Sequence, residues 1–87
     1  MTVYLDGRQM TSRTALHDHL QRVLNLPDHY GRNLDALYDL LTERAEPTTL
    51  VLEHWPPAAE ALGRYGTAFL KTLRDASEKN ETLKLEA

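Results

Sequence analysis

Thr48-Thr49-Leu50-Val51-Leu52-Glu53 is the stretch on which the fold turns. It is short, apolar at its centre and bounded by Glu46-Pro47 before and Pro56-Pro57 after, the pattern of a strand between two breaks. Three consecutive apolar residues are expected where both faces of a strand are covered, so this segment reads as the middle strand of a sheet. Thr2 to Leu5 alternates and meets the turn signal Asp6-Gly7, which makes a first strand. Thr82 to Glu86 alternates around Leu83 and Leu85 and makes a last one. Helical periodicity fills both gaps between these strands. Strands separated by helical crossovers pair in parallel, and right-handed crossovers put the helices largely on one face. The expectation is one two-layer α/β domain over residues 1–87, with a three-stranded parallel sheet in the order 1-2-3 and about four helices.

The helices follow from their apolar stripes. Ser12 or Thr14 can cap the first, whose stripe is Leu16, Leu20, Val23 and Leu24, and Asn25 and Pro27 stop it. After the polar loop 25–32, Asn33 caps a second helix from Leu34 to about Glu43, with Leu34, Leu37, Tyr38 and Leu41 on its buried side. Pro56-Pro57 opens a short helix over Ala58 to Leu62, closed by Gly63. A fourth runs from about Thr67 to Glu78 with Phe69, Leu70, Leu73 and Ala76 inward. Trp55 reads as a packing residue or a semi-exposed lid, and Tyr30 as a support beneath the loop or, less favoured, an outward contact.

Composition narrows the function. Ten basic residues against thirteen acidic leave a net charge of −3, without the basic footprint of a nucleic-acid or anionic-membrane binder. There is no cysteine, so packing alone stabilises the fold, which suits a reducing cytoplasm. The opening residues lack the basic start and long apolar run of a signal peptide, and no stretch approaches the roughly 20 apolar residues of a membrane span. A chain of this mass is expected to expose roughly 5,000 Å².

The negative charge is concentrated. Between positions 26 and 46 stand five acids, Asp28, Asp35, Asp39, Glu43 and Glu46, against Arg32 and Arg44. At about 100° per residue, Asp35 and Asp39 share one flank of the second helix with Thr42 and Glu43, and Tyr38 lies at the rim of the core. Such an i, i+4 like-charge pair costs a few tenths of a kcal/mol on an isolated helix. Asp35 gains from the helix dipole, being in the first turn; Asp39 gains little. A solvated acidic face is one reading. A patch for a cationic partner is the other, and breaches of local rules are most informative at functional sites.

The segment Leu26-Pro27-Asp28-His29-Tyr30-Gly31-Arg32-Asn33-Leu34-Asp35-Ala36-Leu37-Tyr38-Asp39 resembles the hallmark of the barstar family, whose pattern is Tyr-Gly-x-Asn-Leu-Asp-Ala-Leu-aromatic-Asp. The opening strand, Leu16-His17, Leu50-Val51-Leu52-Glu53 and Arg74-Asp75-Ala76 extend the likeness over nearly the whole chain. The resemblance implies a cytoplasmic inhibitor of a guanyl-preferring, extracellular microbial ribonuclease, bound one-to-one and without cofactor; a monomer when free is the simplest expectation. It implies that the second helix and the loop before it enter the enzyme's active site. By position, Asp39 would stand in for an RNA phosphate, and Asp35 would meet the same cationic cleft or the enzyme's base-recognition edge. His29 would pack on the catalytic histidine. Gly31, Asn33, Thr42, Tyr38 and Arg44 would line the contact, and Asp75 would add outlying attraction. His29 stands where the family has tyrosine, Tyr38 where it has tryptophan, Arg32 where an acid is common and Arg44 where an aromatic is. The two arginines would partly offset the attraction, and the set points to a ribonuclease other than the family's best-known target.

Rival readings are weaker. His17 and His19 are two apart on a helix and cannot share a metal, and His29 and His54 lack a paired ligand nearby. Asp35, Asp39 and His29 could act as acids and bases, but no nucleophile or phosphate-cradling glycine loop accompanies them. A barstar-like module that binds a different, non-ribonuclease cationic protein through the same face is the remaining alternative.

Overall fold

A computed structural model describes residues 1–86. The strand β1 (Thr2–Asp6) leads through one 3-10 turn at Gly7–Gln9 to helix α1 (Arg13–Val23) and then α2 (Leu34–Glu43). The strand β2 (Thr48–Glu53) is followed by α3 (Trp55–Leu62), α4 (Arg64–Lys79) and the last strand, β3 (Leu83–Glu86). The sheet order is β1-β2-β3 with both pairings parallel, as the helical crossovers require.

Register sorts the sheet into two unlike faces. Val3 and Leu5 lie beside Leu50 and Leu52, and Leu50 lies beside Leu85. Together with Leu83 this row meets the core side chains Leu16, Leu20, Leu37, Leu41, Phe69 and Leu73. The reverse face stays open: Tyr4 is 55% exposed there, and Val51 is only half-buried between Tyr4 and Glu86. The continuous apolar run marked the middle strand correctly, but not because both faces are covered. Val51 has Tyr4 and Glu86 as its neighbours on the adjoining strands.

Side-chain caps set the helix limits. Ser12, not Thr14, caps α1, its Oγ accepting from the Ala15 amide at 3.0 Å. Asn33 Oδ1 accepts from the Ala36 amide at 2.8 Å and starts α2. The far end of α2 is held from another helix. Asn80, the residue that ends α4, donates from Nδ2 to the carbonyls of Leu41 and Arg44, both at 2.8 Å, beside the Arg44 amide on the first at 3.3 Å and the Thr82 hydroxyl on the second at 3.2 Å. α4 begins at Arg64, three residues before the start its apolar stripe suggested. Gly63 makes the corner at φ 57°, a conformation that favours glycine. Gly66 then brings α3 and α4 close: a Cβ there would sit 3.2 Å from Leu62 Cβ and 3.3 Å from the Trp55 ring. That approach lets Trp55 stack on Phe69, with ring centroids 5.9 Å apart. Trp55 is therefore a packing residue. Among the described residues no helix is long and apolar enough to cross a membrane, and no group of three or more His, Cys, Asp or Glu side chains could hold a metal ion.

Candidate functional site: the acidic face of α2

On α2, Leu37 and Leu41 are fully buried and fix the helix's rotation. Asp35 and Asp39 are exposed as a consequence, while Tyr38 and Thr42 are half-buried on the margin. Thr42 Oγ1 donates to the Asp39 carbonyl at 3.1 Å, a local bond within the helix. Neither Asp35 nor Asp39 has an ion-pair partner among the described residues, whose four salt bridges lie elsewhere.

The two cations of the segment behave differently from the expectation. Arg32 folds back onto α1, where it pairs with Asp18 and donates to Gln21 Oε1 at 3.0 Å and to the Thr14 carbonyl at 3.3 Å. Arg44, expected among the contact residues, turns into the fold; its side chain is 16% exposed. Its guanidinium donates to Thr48 Oγ1 at 2.8 Å, to the Leu24 carbonyl at 3.2 Å and to Glu46 at 3.3 Å. Both positive charges are thus engaged internally, and the acids of α2 face solvent without them.

The loop before α2 is braced from beneath. His29 and Gly31 are exposed on it. Asn33 uses both ends of its amide locally, since Nδ2 also donates to the Gly31 carbonyl at 3.2 Å. Tyr30 is buried, as its reading as a loop support anticipated. Its hydroxyl lies 2.6 Å from His17 Nδ1, and His17 Nε2 lies 2.7 Å from the Tyr65 hydroxyl on α4. Asp75 is half-buried on α4, ion-paired with Lys71 at 2.7 Å, and joins Tyr38, Glu78 and Lys79 around an open groove between α2 and α4.

Sequence reasoning missed the residues that hold the loop, namely Asp18, Gln21, His17 and Tyr65. A signal existed for three of them. Thr14, His17, Asp18 and Gln21 fall at i, i+3, i+4 and i+7, a polar stripe beside the apolar one. Tyr65 is 48 residues from His17 and has no local signature.

The buried histidines make this support sensitive to acid. A neutral His17 can accept from one tyrosine hydroxyl and donate to the other; an imidazolium can only donate. Burial, with the nearby Arg32 charge adding to it and Asp18 opposing, lowers the His17 pKa from its ordinary 6.5. On α1 His19 Nε2 accepts from the Asp6 amide at 3.1 Å, a bond an imidazolium would lose. Burial and then Arg22 lower its pKa as well, against Asp6. With folded pKa values below the unfolded ones, the unfolded chain binds more protons, so both groups add stability that is complete above 6.5 and lost as pH falls through the folded values. The melting temperature is expected to be level above about pH 7 and to drop toward about pH 5. A melting temperature flat across that range would show that neither ring is held neutral.

Two comparisons with known proteins agree with this geometry. The family model described as "Barstar (barnase inhibitor)" matches residues 1–86. A Bacillus subtilis (strain 168) protein named "Putative ribonuclease inhibitor YrdF" is 41% identical over 78 residues, which span 88% of this chain and 86% of that protein. With a three-stranded parallel sheet, four helices and the acidic second helix in place, the chain belongs to the barstar family, a family of ribonuclease inhibitors and not of enzymes.

Proposed function

We propose that this chain inhibits a secreted, guanyl-preferring microbial ribonuclease by laying α2 and the loop before it across the enzyme's active site in a one-to-one complex. The observation that carries the proposal is the charge arrangement: Asp35 and Asp39 are exposed and unpartnered among the described residues, while Arg32 and Arg44 are bound elsewhere in the fold. A ribonuclease must hold a phosphate, so its cleft carries preorganised positive charge. A carboxylate takes paired hydrogen bonds from arginine much as phosphate does, which suits Asp39 to the phosphate position. Asp35, His29, Gly31, Asn33, Tyr38 and Thr42 surround it, with Asp75 across the groove. Arg44 stands at the edge of this set, with its guanidinium engaged by Thr48, Leu24 and Glu46 in the free protein. The total surface is 5171 Å², and an interface of about 800 Å² per partner would take roughly a sixth of it.

Titration against a panel of guanyl-preferring ribonucleases tests the proposal: loss of RNA cleavage should end at equimolar inhibitor for at least one enzyme. No loss across the panel would favour another cationic protein as the partner. RNA hydrolysis by the chain alone, abolished by Asp39→Asn, would overturn the inhibitor reading altogether.

Electrostatic attraction should also show in the kinetics. Steering by such a patch raises on-rates by about 10- to 1,000-fold and weakens steeply with ionic strength. Stopped-flow association should therefore slow by about tenfold or more as salt rises from about 0.01 to 1 M, with dissociation changing far less. An on-rate indifferent to salt would remove steering from the mechanism.

A further inference from the structure

The loop before α2 is not held by its own residues alone; one face of α1 grips it. Gln21 uses both ends of its side-chain amide, Nε2 donating to the Pro27 carbonyl at 3.2 Å and Oε1 accepting from Arg32 Nη1 at 3.0 Å. The Gln21 backbone carbonyl accepts from the Leu26 amide at 3.0 Å. One residue of α1 therefore touches the start and the end of the loop. Asp18, one turn earlier, takes the other side of the Arg32 guanidinium. Arg32 itself sits at φ 56°, in the left-handed region that a non-glycine residue adopts only when its surroundings hold it there. It directly precedes Asn33, the cap of α2, so the conformation held at Arg32 sets how the chain enters the acidic helix.

We propose that Gln21 and Asp18 are positioning residues for partner binding, acting together as a latch. Gln21 keeps the loop from Leu26 to Asn33 in its binding shape before any partner arrives. Asp18 keeps the Arg32 charge turned away from the acidic face. Neither need touch the partner. The inference rests on the reading of this loop and α2 as the inhibitory surface. Gln21 is half-buried and Asp18 exposed, so replacing either leaves the apolar core intact.

The two halves of the latch have separate signatures. Gln21→Ala should loosen the loop in the free protein, seen as severalfold faster hydrogen exchange at the Leu26 and Tyr30 amides, with core amides of β2 unchanged. Its affinity for the inhibited ribonuclease should fall roughly three- to tenfold, as for the loss of one or two modest hydrogen bonds. Asp18→Ala should free the Arg32 charge and slow association, most at low salt, and Arg32→Ala in the same background should restore the rate. A purely structural role would not give that rescue. Asp39→Ala serves as the control for the surface itself. If Asp39→Ala abolishes inhibition while the Gln21 and Asp18 variants bind like the parent, the latch is wrong and the surface stands. If no ribonuclease is inhibited but Gln21→Ala speeds loop exchange, the latch stands as a feature of the fold and the choice of partner is wrong. Unchanged exchange in Gln21→Ala would overturn the latch whatever the partner.

Discussion

Asp39→Ala is expected to weaken binding to the target ribonuclease by about 2–5 kcal/mol, or roughly 30- to 4,000-fold, a general range for truncating one side of a desolvated charge pair for which this family's own complexes are a standard worked example. The fold should not change. Asp39 is exposed, its carboxylate has no ion-pair partner among the described residues, and it sits opposite the buried Leu37 and Leu41. The free inhibitor should even gain slightly, because the like-charge pair with Asp35 disappears. Loss of binding without loss of stability separates an anchor from a structural residue. A dissociation constant equal to the parent's, measured by calorimetry or competition, would take Asp39 out of the centre of the interface.

Phe69→Ala is expected to have the opposite profile. Phe69 is the largest fully buried side chain among the described residues and stacks on Trp55 across the junction of α3 and α4. Removing such a ring costs about 3–5 kcal/mol through lost burial and the cavity left behind. A chain of 87 residues has roughly 4–13 kcal/mol of total stability at typical values per residue. With no cysteine in the sequence to form a disulfide, the variant is expected to lie close to unfolded. Trp55, the one tryptophan of the sequence, reports on this directly through its fluorescence. The urea midpoint should move down by about 2 M or more, given slopes of roughly 1–2 kcal/mol/M for small proteins. An unmoved midpoint would mean that the ring's contacts are replaced on truncation.

The contrast between these variants matches what was legible in the sequence. The three strands, their order and the acidic flank of α2 all come from periodicity and breaks, which are local properties that neighbouring residues determine. The buried side of α2 is a case in point: Leu34, Leu37 and Leu41 define it, and Asp35 and Asp39 follow by rotation alone. The start of α4 was less accessible, because Arg64 to Gly66 carries no apolar stripe and a glycine ordinarily ends helices. Here Gly66 is helical because its missing side chain admits Trp55. The fates of Arg32 and Arg44 were not accessible at all. Each is one formal charge in a count, and whether it faces a partner depends on acceptors 14 residues away in Asp18 and 20 residues away at Leu24. The polar stripe of α1 marks where acceptors for Arg32 stand, but nothing periodic links either arginine to its partners. The open reverse face of the sheet was hidden for a related reason, since a run of three apolar residues does not reveal that Val51 between them is only half-buried.

Asn80 reaches from the end of α4 to the last carbonyls of α2, and Asn33 closes the first turn from a loop that α1 grips. The acidic helix is in this sense a beam fixed at both supports. The entropy lost in ordering it belongs to folding, and little remains to be ordered when a partner arrives. Its supports also lie on other elements than the side chains it displays. If this face is the inhibitory surface, an exposed residue such as His29 can be exchanged for one that suits a different enzyme while the frame beneath it is left as it is, which separates the evolution of target choice from the upkeep of the fold.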